Sequence, residues 1–220
     1  MNIIKPSVEI EHQDWGLLLK RIEKKGRVCY KSEDRITDDS AERFIEFLVK
    51  RGHLSVLEHE KISVKFIVDR GITHEIVRHR VGSYSQESTR YCNYGNDDKG
   101  ITVIEPFFYP KGSFKYDLWM KAERTSEEVY LDLLEQGSTP QEARDVLTNS
   151  LKTEIWVTYN IREWLYFFSK RAVKEAHPQM RQPVIPLLMI FKGILPAVFG
   201  ASEWDRNFPA NEWANVTIVD

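Results

Sequence analysis

The segment RHRVGSYSQESTRY, from Arg78 to Tyr91, holds the densest polar chemistry in this sequence. It brings three guanidinium groups, one imidazole and several hydroxyls into a short stretch of chain. An arginine fork matches the geometry of phosphate and keeps its charge at any working pH. Hydroxyls and loop N–H groups complete such a cradle, so the segment predicts an anion-binding site. The alternative is a solvated basic turn, which the presence of Ser88 and Arg90 makes less favourable.

The residues around this segment predict a strand, a short helix and a loop. Apolar residues alternate over 62–68, as in a strand with one buried face. Gly71 then begins a short helix that we expect to carry His74 and to include Arg78, His79 and Arg80. A polar loop is expected over 83–94, and a further strand over 101–104.

The rest of the chain continues the apolar pattern without a linker. Strands are expected at 8–10 and 155–161, and helices at 17–22, from Ser40 to near Gly52, at 114–134, from Thr139, and at 164–171. The segment 177–191 is apolar enough for a helix, but Pro183 and Pro186 would each remove a hydrogen bond and could bend it. The tail after Gly200 is expected to be loosely ordered. We therefore predict one α+β domain over residues 1–220.

The composition is ordinary for a globular protein and argues against several functions. A net charge of −2 over 220 residues does not provide the basic field that long nucleic acid requires. Cys29 and Cys92 form neither a disulfide framework nor a C-x-x-C pair. The longest apolar run, Val184 to Phe191, is too short to span a membrane. Because the N-terminus shows no signal pattern, we expect a cytoplasmic location.

A second polar cluster precedes the predicted strand at 62–68. It contains His53, Ser55, Glu58 and His59. The spacing of the two histidines fits neither one helical face nor the short helical zinc motif. We therefore predict structural or ligand-contacting roles for these residues, and no metal site.

A third group is dispersed along the C-terminal half of the chain. It consists of Arg144, Asn160, Arg162 and Arg171. Each residue taken alone has an ordinary structural explanation, since basic residues favour helix C-termini and asparagine is a common N-cap.

Together these residues resemble the family of flavin-dependent thymidylate synthases. Arg-His-Arg, followed after seven residues by Ser88, is similar to the signature of that family. The segment from His53 to His59 resembles its H-x-[ST]-x-x-E-H pattern, and Arg144 lies where the family carries a dUMP-binding arginine. Asn160-x-Arg162 and Arg171 keep the family's spacing. The resemblance covers roughly residues 27–180.

The resemblance implies an α+β fold with a central, mostly antiparallel sheet packed against helices. It implies a homotetramer with shared active sites that methylates dUMP to dTMP, with FAD as cofactor and with NADPH and 5,10-methylenetetrahydrofolate as co-substrates. It assigns FAD binding to His53, Ser55, Glu58, Arg78, His79, Arg80, Asn160 and Arg162. It assigns dUMP binding to Gln86, Ser88, Arg90, Arg144 and Arg171, of which Ser88 and Arg171 are the expected catalytic residues.

Several positions depart from forms common in this family. Ser85-Gln86 stands where Asn-Glu is frequent, so a carboxylate is lost. Cys29 stands at a small hydroxyl residue near the flavin phosphate, Tyr166 at a flavin-side asparagine, and Glu175 at a frequent histidine. Each of these departures changes one of the contacts expected with the flavin or the nucleotide, and the reaction itself is expected to survive them.

Other functions remain open from the residues alone. The Arg-His-Arg loop, with Tyr84, Tyr91 and Tyr94 to stack on bases, could serve a nucleic-acid-binding module. A catalytically idle dUMP- or flavin-binding protein is a third hypothesis. Ser88 has no visible base-and-orienter pair, which favours substrate binding over nucleophilic attack. Cys92 is expected to be dispensable.

Overall fold

The computed structural model describes residues 1–96 and 100–220, and these residues form seven strands and eight α-helices. The strands are β1 (Asn2–Ile4), β2 (Ser7–Glu11), β3 (Lys61–Asp69), β4 (Gly82–Gln86), β5 (Thr102–Ile104), β6 (Lys152–Asn160) and β7 (Asn215–Val219). The helices are α1 (Trp15–Arg27), α2 (Ser40–Lys50), α3 (Arg70–Ile76), α4 (Phe114–Glu135), α5 (Pro140–Ala143), α6 (Ile161–Arg171), α7 (Pro178–Ile194) and α8 (Pro196–Phe199). The α+β prediction is confirmed.

The strands form two sheets. β1 and β5 pair in parallel, with Ile4 opposite Ile104. The other five strands lie in the order β4-β6-β3-β2-β7. In this sheet the Ser63 and Thr158 hydroxyls are 2.9 Å apart, and just past the end of β3 the Arg70 N–H donates over 3.1 Å to the carbonyl of Leu151, the residue before β6. Because these contacts run in opposite chain directions, β3 and β6 are antiparallel, as predicted for the central sheet.

The strand predicted at 62–68 is confirmed, whereas the prediction for the residues after it is partly wrong. Asp69 caps α3 by accepting the Ile72 N–H at 2.9 Å, and the helix ends at Ile76. Arg78, His79 and Arg80 therefore follow the helix instead of lying on it. The predicted loop at 83–94 contains the strand β4. At its start, a Cβ on Gly82 would lie 2.3 Å from the Tyr159 ring, so this position accepts only glycine.

The chain divides into two compact units. The first consists of Met1–Ser7, Phe66–Arg78 and Tyr84–Trp156, and the second of Val8–Lys65, His79–Ser83 and Val157–Asp220. In the first unit, buried apolar residues from the β5 region, α4 and α5 form one cluster that includes Val103, Tyr130 and Ala143. Burial of this apolar surface is the main favourable contribution to its stability.

The second unit has an aromatic core between α6, α7 and α8. The Trp164 ring centroid lies 5.3 Å from that of Phe191, and the Phe168 and Phe199 centroids are 5.7 Å apart. All four side chains are fully buried, and both pairs have the edge-to-face arrangement that aromatic rings favour.

Both prolines of the segment 177–191 lie inside α7, and one of them helps to hold the tail. Pro186 has no N–H to donate to the Gln182 carbonyl, four residues earlier. That carbonyl instead accepts the Ala214 N–H at 3.0 Å, immediately before β7. β7 lies beside β2 in the sheet, and Arg181 forms an ion pair with Asp205. The expectation of a loosely ordered tail is therefore wrong.

Candidate active site

In the first unit, a tight turn follows β4 and presents Ser88 and Arg90. The Ser88 carbonyl accepts the N–H groups of Tyr91 and Cys92 at 3.1 and 2.9 Å. Its hydroxyl oxygen accepts the Arg90 N–H at 3.3 Å. Ser88 is half-buried and Arg90 is exposed, so the turn directs a guanidinium toward solvent while the serine stays close to the fold.

Arg144 lies at the end of a helix of a single turn. The Glu142 carboxylate accepts the Thr139 N–H at 2.8 Å, which confirms the predicted helix start. The helix α5 nevertheless ends at Ala143, and Arg144 opens a short 3₁₀ helix that runs to Val146. Ala143 is fully buried, which anchors this segment and leaves the neighbouring Arg144 side chain exposed.

Two side-chain contacts bring the turn and the single-turn helix together. Arg144 Nη1 donates to Thr89 Oγ1 at 3.3 Å, and Arg90 Nη2 donates to Gln141 Oε1 at 3.4 Å. Arg144 thus contacts the residue before Arg90, and Arg90 contacts a residue three positions before Arg144. The consequence is that Arg144 lies on the same surface of this unit as Ser88 and Arg90, from which it is more than fifty positions distant in sequence.

Gln86 is anchored by two buried hydroxyls. Its Nε2 donates to Thr73 Oγ1 at 2.9 Å and to Thr153 Oγ1 at 3.3 Å. Thr73 already donates its own proton to the Arg70 carbonyl, so it needs a donor as partner. Glutamine supplies that donor and an ionised glutamate would not. The departure from the family's frequent glutamate therefore has a local physical reason.

In the second unit, the expected flavin-side residues lie near the start of α6 and before β3. Asn160 caps α6 by accepting the Glu163 N–H at 2.8 Å, as the ordinary N-cap explanation predicts. Arg162 forms an ion pair with Glu58 at 2.5 Å, and both side chains are about half exposed. His53 and Ser55 are exposed and line a cavity of about 290 Å³ together with Cys29.

His79 links Arg171 to a carboxylate. The imidazole is 3% exposed, with Nδ1 3.3 Å from Glu163 Oε1 and Nε2 accepting Arg171 Nε–H at 3.1 Å. Burial is the larger cause and the positive charge of Arg171 the smaller one, and together they lower the pKa of His79 to about 4. The ring is therefore neutral at pH 7, and accepting at Nε2 places its proton on Nδ1, where it donates to Glu163.

The remaining expected FAD residues, Arg78 and Arg80, are exposed. Within residues 1–96 and 100–220, no group of three or more His, Cys, Asp or Glu side chains is arranged to hold a metal ion. In the same described part of the chain, none of the helices combines the length and hydropathy needed to cross a bilayer.

Comparisons with known proteins decide the family. The family model described as "Thymidylate synthase complementing protein" matches residues 18–197. The flavin-dependent thymidylate synthase of Geobacter sulfurreducens is 30% identical over 180 residues, which cover 79% of this chain and 77% of the relative. The chain belongs to this family. The flavin-dependent thymidylate synthase of Saccharolobus solfataricus is also similar, with 32% identity over 86% of this chain and 73% of the relative.

A solved structure supports the fold of this family member. The UMP/dUMP methylase PolB from Streptomyces cacaoi, crystallised with 5-Br dUMP, superposes with a TM-score of 0.75. The match covers 91% of this chain and 96% of that one at 21% sequence identity, so it bears on the fold alone.

Sequence reasoning on this family member missed Glu163 as a site residue. In Asn160-x-x-Glu163 the spacing resembles a capping box, which marks a helix start and says nothing about His79. The two residues are 84 positions apart, and only the tertiary structure brings them together.

Proposed function

We propose that this protein is a flavin-dependent thymidylate synthase that converts dUMP to dTMP with 5,10-methylenetetrahydrofolate as carbon donor. The observation that carries the proposal is the convergence of Ser88, Arg90 and Arg144 through the contacts of Thr89 and Gln141. Paired guanidiniums beside a hydroxyl are the chemistry that a nucleotide monophosphate requires. The resemblance of the sequence to this family implies dUMP binding at the same three positions.

In this proposal the two arginines and the serine bind and orient dUMP. Arg90 and Arg144 neutralise the phosphate, while Ser88 supplies a hydrogen bond. The side chains of Arg90 and Arg144 are exposed. Each donates to a neutral oxygen, of Gln141 or of Thr89, and a phosphate oxygen can replace that acceptor. Gln86 would contribute to the ribose side from its fixed position on β4.

Arg171 would stabilise charge on the pyrimidine. Methylation at C5 requires electron density at that carbon, and the ring carbonyls gain negative charge as it develops. A fixed guanidinium lowers the energy of that state. His79 helps to fix the position of Arg171, because its neutral imidazole accepts a hydrogen bond from Arg171 Nε.

The residues near His53 suit a flavin. The cavity that contains His53 and Ser55 offers polar groups beside an apolar wall formed by Leu48 and Val56. Arg78 and Arg80 supply exposed cations for a pyrophosphate, and Glu58, His79, Asn160 and Arg162 complete the proposed FAD set. Bound FAD, reduced by NADPH, would supply the hydride that converts the one-carbon unit to methyl. We further propose a homotetramer with shared active sites.

The decisive experiment combines colour, turnover and two variants. Purified protein should show a flavin absorption band that bleaches anaerobically on addition of NADPH, and it should form dTMP from dUMP and 5,10-methylenetetrahydrofolate. Arg90→Ala and Arg144→Ala should each weaken dUMP binding by roughly tenfold or more and retain FAD. Arg124→Gln, on the exposed surface of α4, is the charge-matched control. Failure to bind FAD, or absence of dTMP, would overturn the proposal.

A further inference from the structure

A second, larger cavity lies in the same unit as the proposed flavin residues. Its volume is about 780 Å³, within the range of small-molecule sites. It is formed by the end of α1, the following segment and the outer part of α2. Four arginines line it, namely Arg27, Arg35, Arg43 and Arg51. The family signature assigns no role to any of them.

One of these arginines is fixed and the other three are adaptable. Arg27 is held by the fully buried Glu23 at 2.7 Å and lies 4.2 Å from the Phe44 ring centroid. Arg43 pairs with Asp39 at 3.3 Å, but both side chains are largely exposed, and such a pair contributes little stability. Arg35 and Arg51 are also exposed. Three guanidiniums can therefore turn toward an anion at low cost.

Aromatic rings accompany the charges. The Arg51 guanidinium carbon lies 4.4 Å from the Phe47 ring centroid, and Phe44 lines the same wall. Asp39 is the acidic side chain that faces this cavity, since Glu23 lies behind Arg27 and is neutralised by it. Excess positive charge beside exposed rings fits a ligand that is both aromatic and multiply anionic.

The larger cavity continues into the smaller one. Tyr30 and His53 line both, and the smaller cavity also contains Cys29 and Ser55. A ligand in the larger cavity would therefore extend toward the residues proposed to hold the flavin.

We propose that the four-arginine cavity binds the multiply anionic end of a co-substrate whose reactive ring approaches the flavin. This inference rests on the proposed function. Two co-substrates carry such an end: NADPH has a 2′-phosphate, which NADH lacks, and reduced folates carry a glutamate tail. Both present anionic oxygens to guanidiniums that have no other role in the proposed reaction.

The test removes two adaptable guanidiniums in the variant Arg43→Gln/Arg51→Gln. Anaerobic flavin reduction is followed with NADPH and with NADH, and turnover is measured with mono- and pentaglutamyl methylenetetrahydrofolate. We expect a roughly tenfold loss of affinity for one anionic co-substrate, with its less charged counterpart unaffected. Selective loss with NADPH identifies the phosphate end as the ligand, and selective loss with pentaglutamyl folate identifies the glutamate tail.

The matched control is Lys121→Gln/Arg124→Gln, which makes the same change in net charge on the exposed surface of α4. Unchanged affinity for both co-substrates in the cavity variant would overturn the inference. A loss of FAD affinity would also overturn it, because the cavity would then belong to the cofactor. If the wild-type protein binds no flavin or forms no dTMP, the proposed function itself has failed, which is a separate outcome.

Discussion

The two ring nitrogens of His79 have different partners, and this asymmetry can be tested. Glu163 accepts from Nδ1, so Nε2 remains the acceptor for Arg171. Glu163→Ala removes the acceptor that selects this tautomer, so His79 no longer holds Arg171 in position. We expect kcat to fall by about tenfold, with a smaller change in KM. Glu163→Gln retains an amide oxygen as acceptor and should keep most of the activity. The measurement is steady-state kinetics across the pH range of activity.

Equal loss in both Glu163 variants would contradict this positioning role, because it would show that the carboxylate charge itself is required. Circular dichroism and thermal melting of the two variants show whether either change disrupts the fold.

Asp69 gives a prediction for stability against pH. Burial raises its pKa to about 6, and its Oδ2 has no hydrogen-bond partner among the described residues. A folded-state pKa above the unfolded value means that stability falls as the pH rises from about 4 to about 6. Asp69→Asn keeps an oxygen to cap Ile72 and does not titrate. The variant should therefore gain on the order of 2 kcal/mol relative to wild type across this interval.

Urea unfolding of both proteins at a series of pH values measures this difference. His79 is present in both, so its own titration cancels in the comparison. A constant difference between wild type and variant from pH 4 to pH 6.5 would contradict the raised pKa of Asp69.

Ser88 is predicted to bind substrate instead of attacking it. The contact described for its hydroxyl is to the Arg90 N–H, which gives no base to remove its proton. Ser88→Ala should therefore raise the KM for dUMP and leave measurable turnover. Complete loss of turnover with dUMP still bound would indicate covalent catalysis. Cys92→Ala, four residues later, should remain active and serves as the control.

At the scale of elements, Pro186 is expected to secure the C-terminal tail. Replacing it by alanine gives α7 a new N–H that competes with Ala214 for the Gln182 carbonyl. Pro186→Ala should therefore increase hydrogen exchange in the peptide that contains Ala214 and β7. Pro183→Ala is the matched control, because it restores a bond to the Gln179 carbonyl and leaves the Gln182–Ala214 contact intact. Equal exchange in the two variants would contradict the role of Pro186.

The elements that were predicted correctly carry a strong local signal. β3 was predicted because Ile62, Val64, Phe66 and Val68 alternate, and all four are buried. β4 was missed because Gly-Ser-Tyr-Ser-Gln lacks such alternation; it is the outermost strand beside β6, where polar residues are tolerated. The order in the tail was missed because its contacts to β2 and α7 are tertiary.

The candidate active site could be predicted from the sequence to about the same extent as the strands and helices. Arginines in a signature of fixed spacing could be named from sequence, and Asn160 could be foreseen as an N-cap. The pairing of Arg90 with Gln141, of Gln86 with Thr73 and Thr153, and of His79 with Glu163 could not, since each joins residues that only the fold brings together.

At the scale of the whole molecule, the proposed dUMP residues are divided between the two units. Arg90 and Arg144 belong to the first, and Arg171 belongs to the second. If an active site takes these two groups from different subunits of a homotetramer, two inactive variants should complement each other. Random co-assembly of Arg144→Ala with Arg171→Ala chains would leave about a quarter of the sites intact. If one chain supplies both groups, every site carries a lesion and no activity returns.

The control for this experiment is co-expression of Arg90→Ala with Arg144→Ala. These arginines contact each other's segments within one unit, so each site would lack one of them and activity should stay absent. Tandem affinity tags isolate the mixed oligomers, and dTMP formation per subunit is compared with wild type. Recovery in the first pair and none in the second supports shared sites. If the first pair regains no activity, the active sites are not shared between subunits. If the second pair regains activity, Arg90 and Arg144 act from separate chains, which contradicts their convergence within one unit.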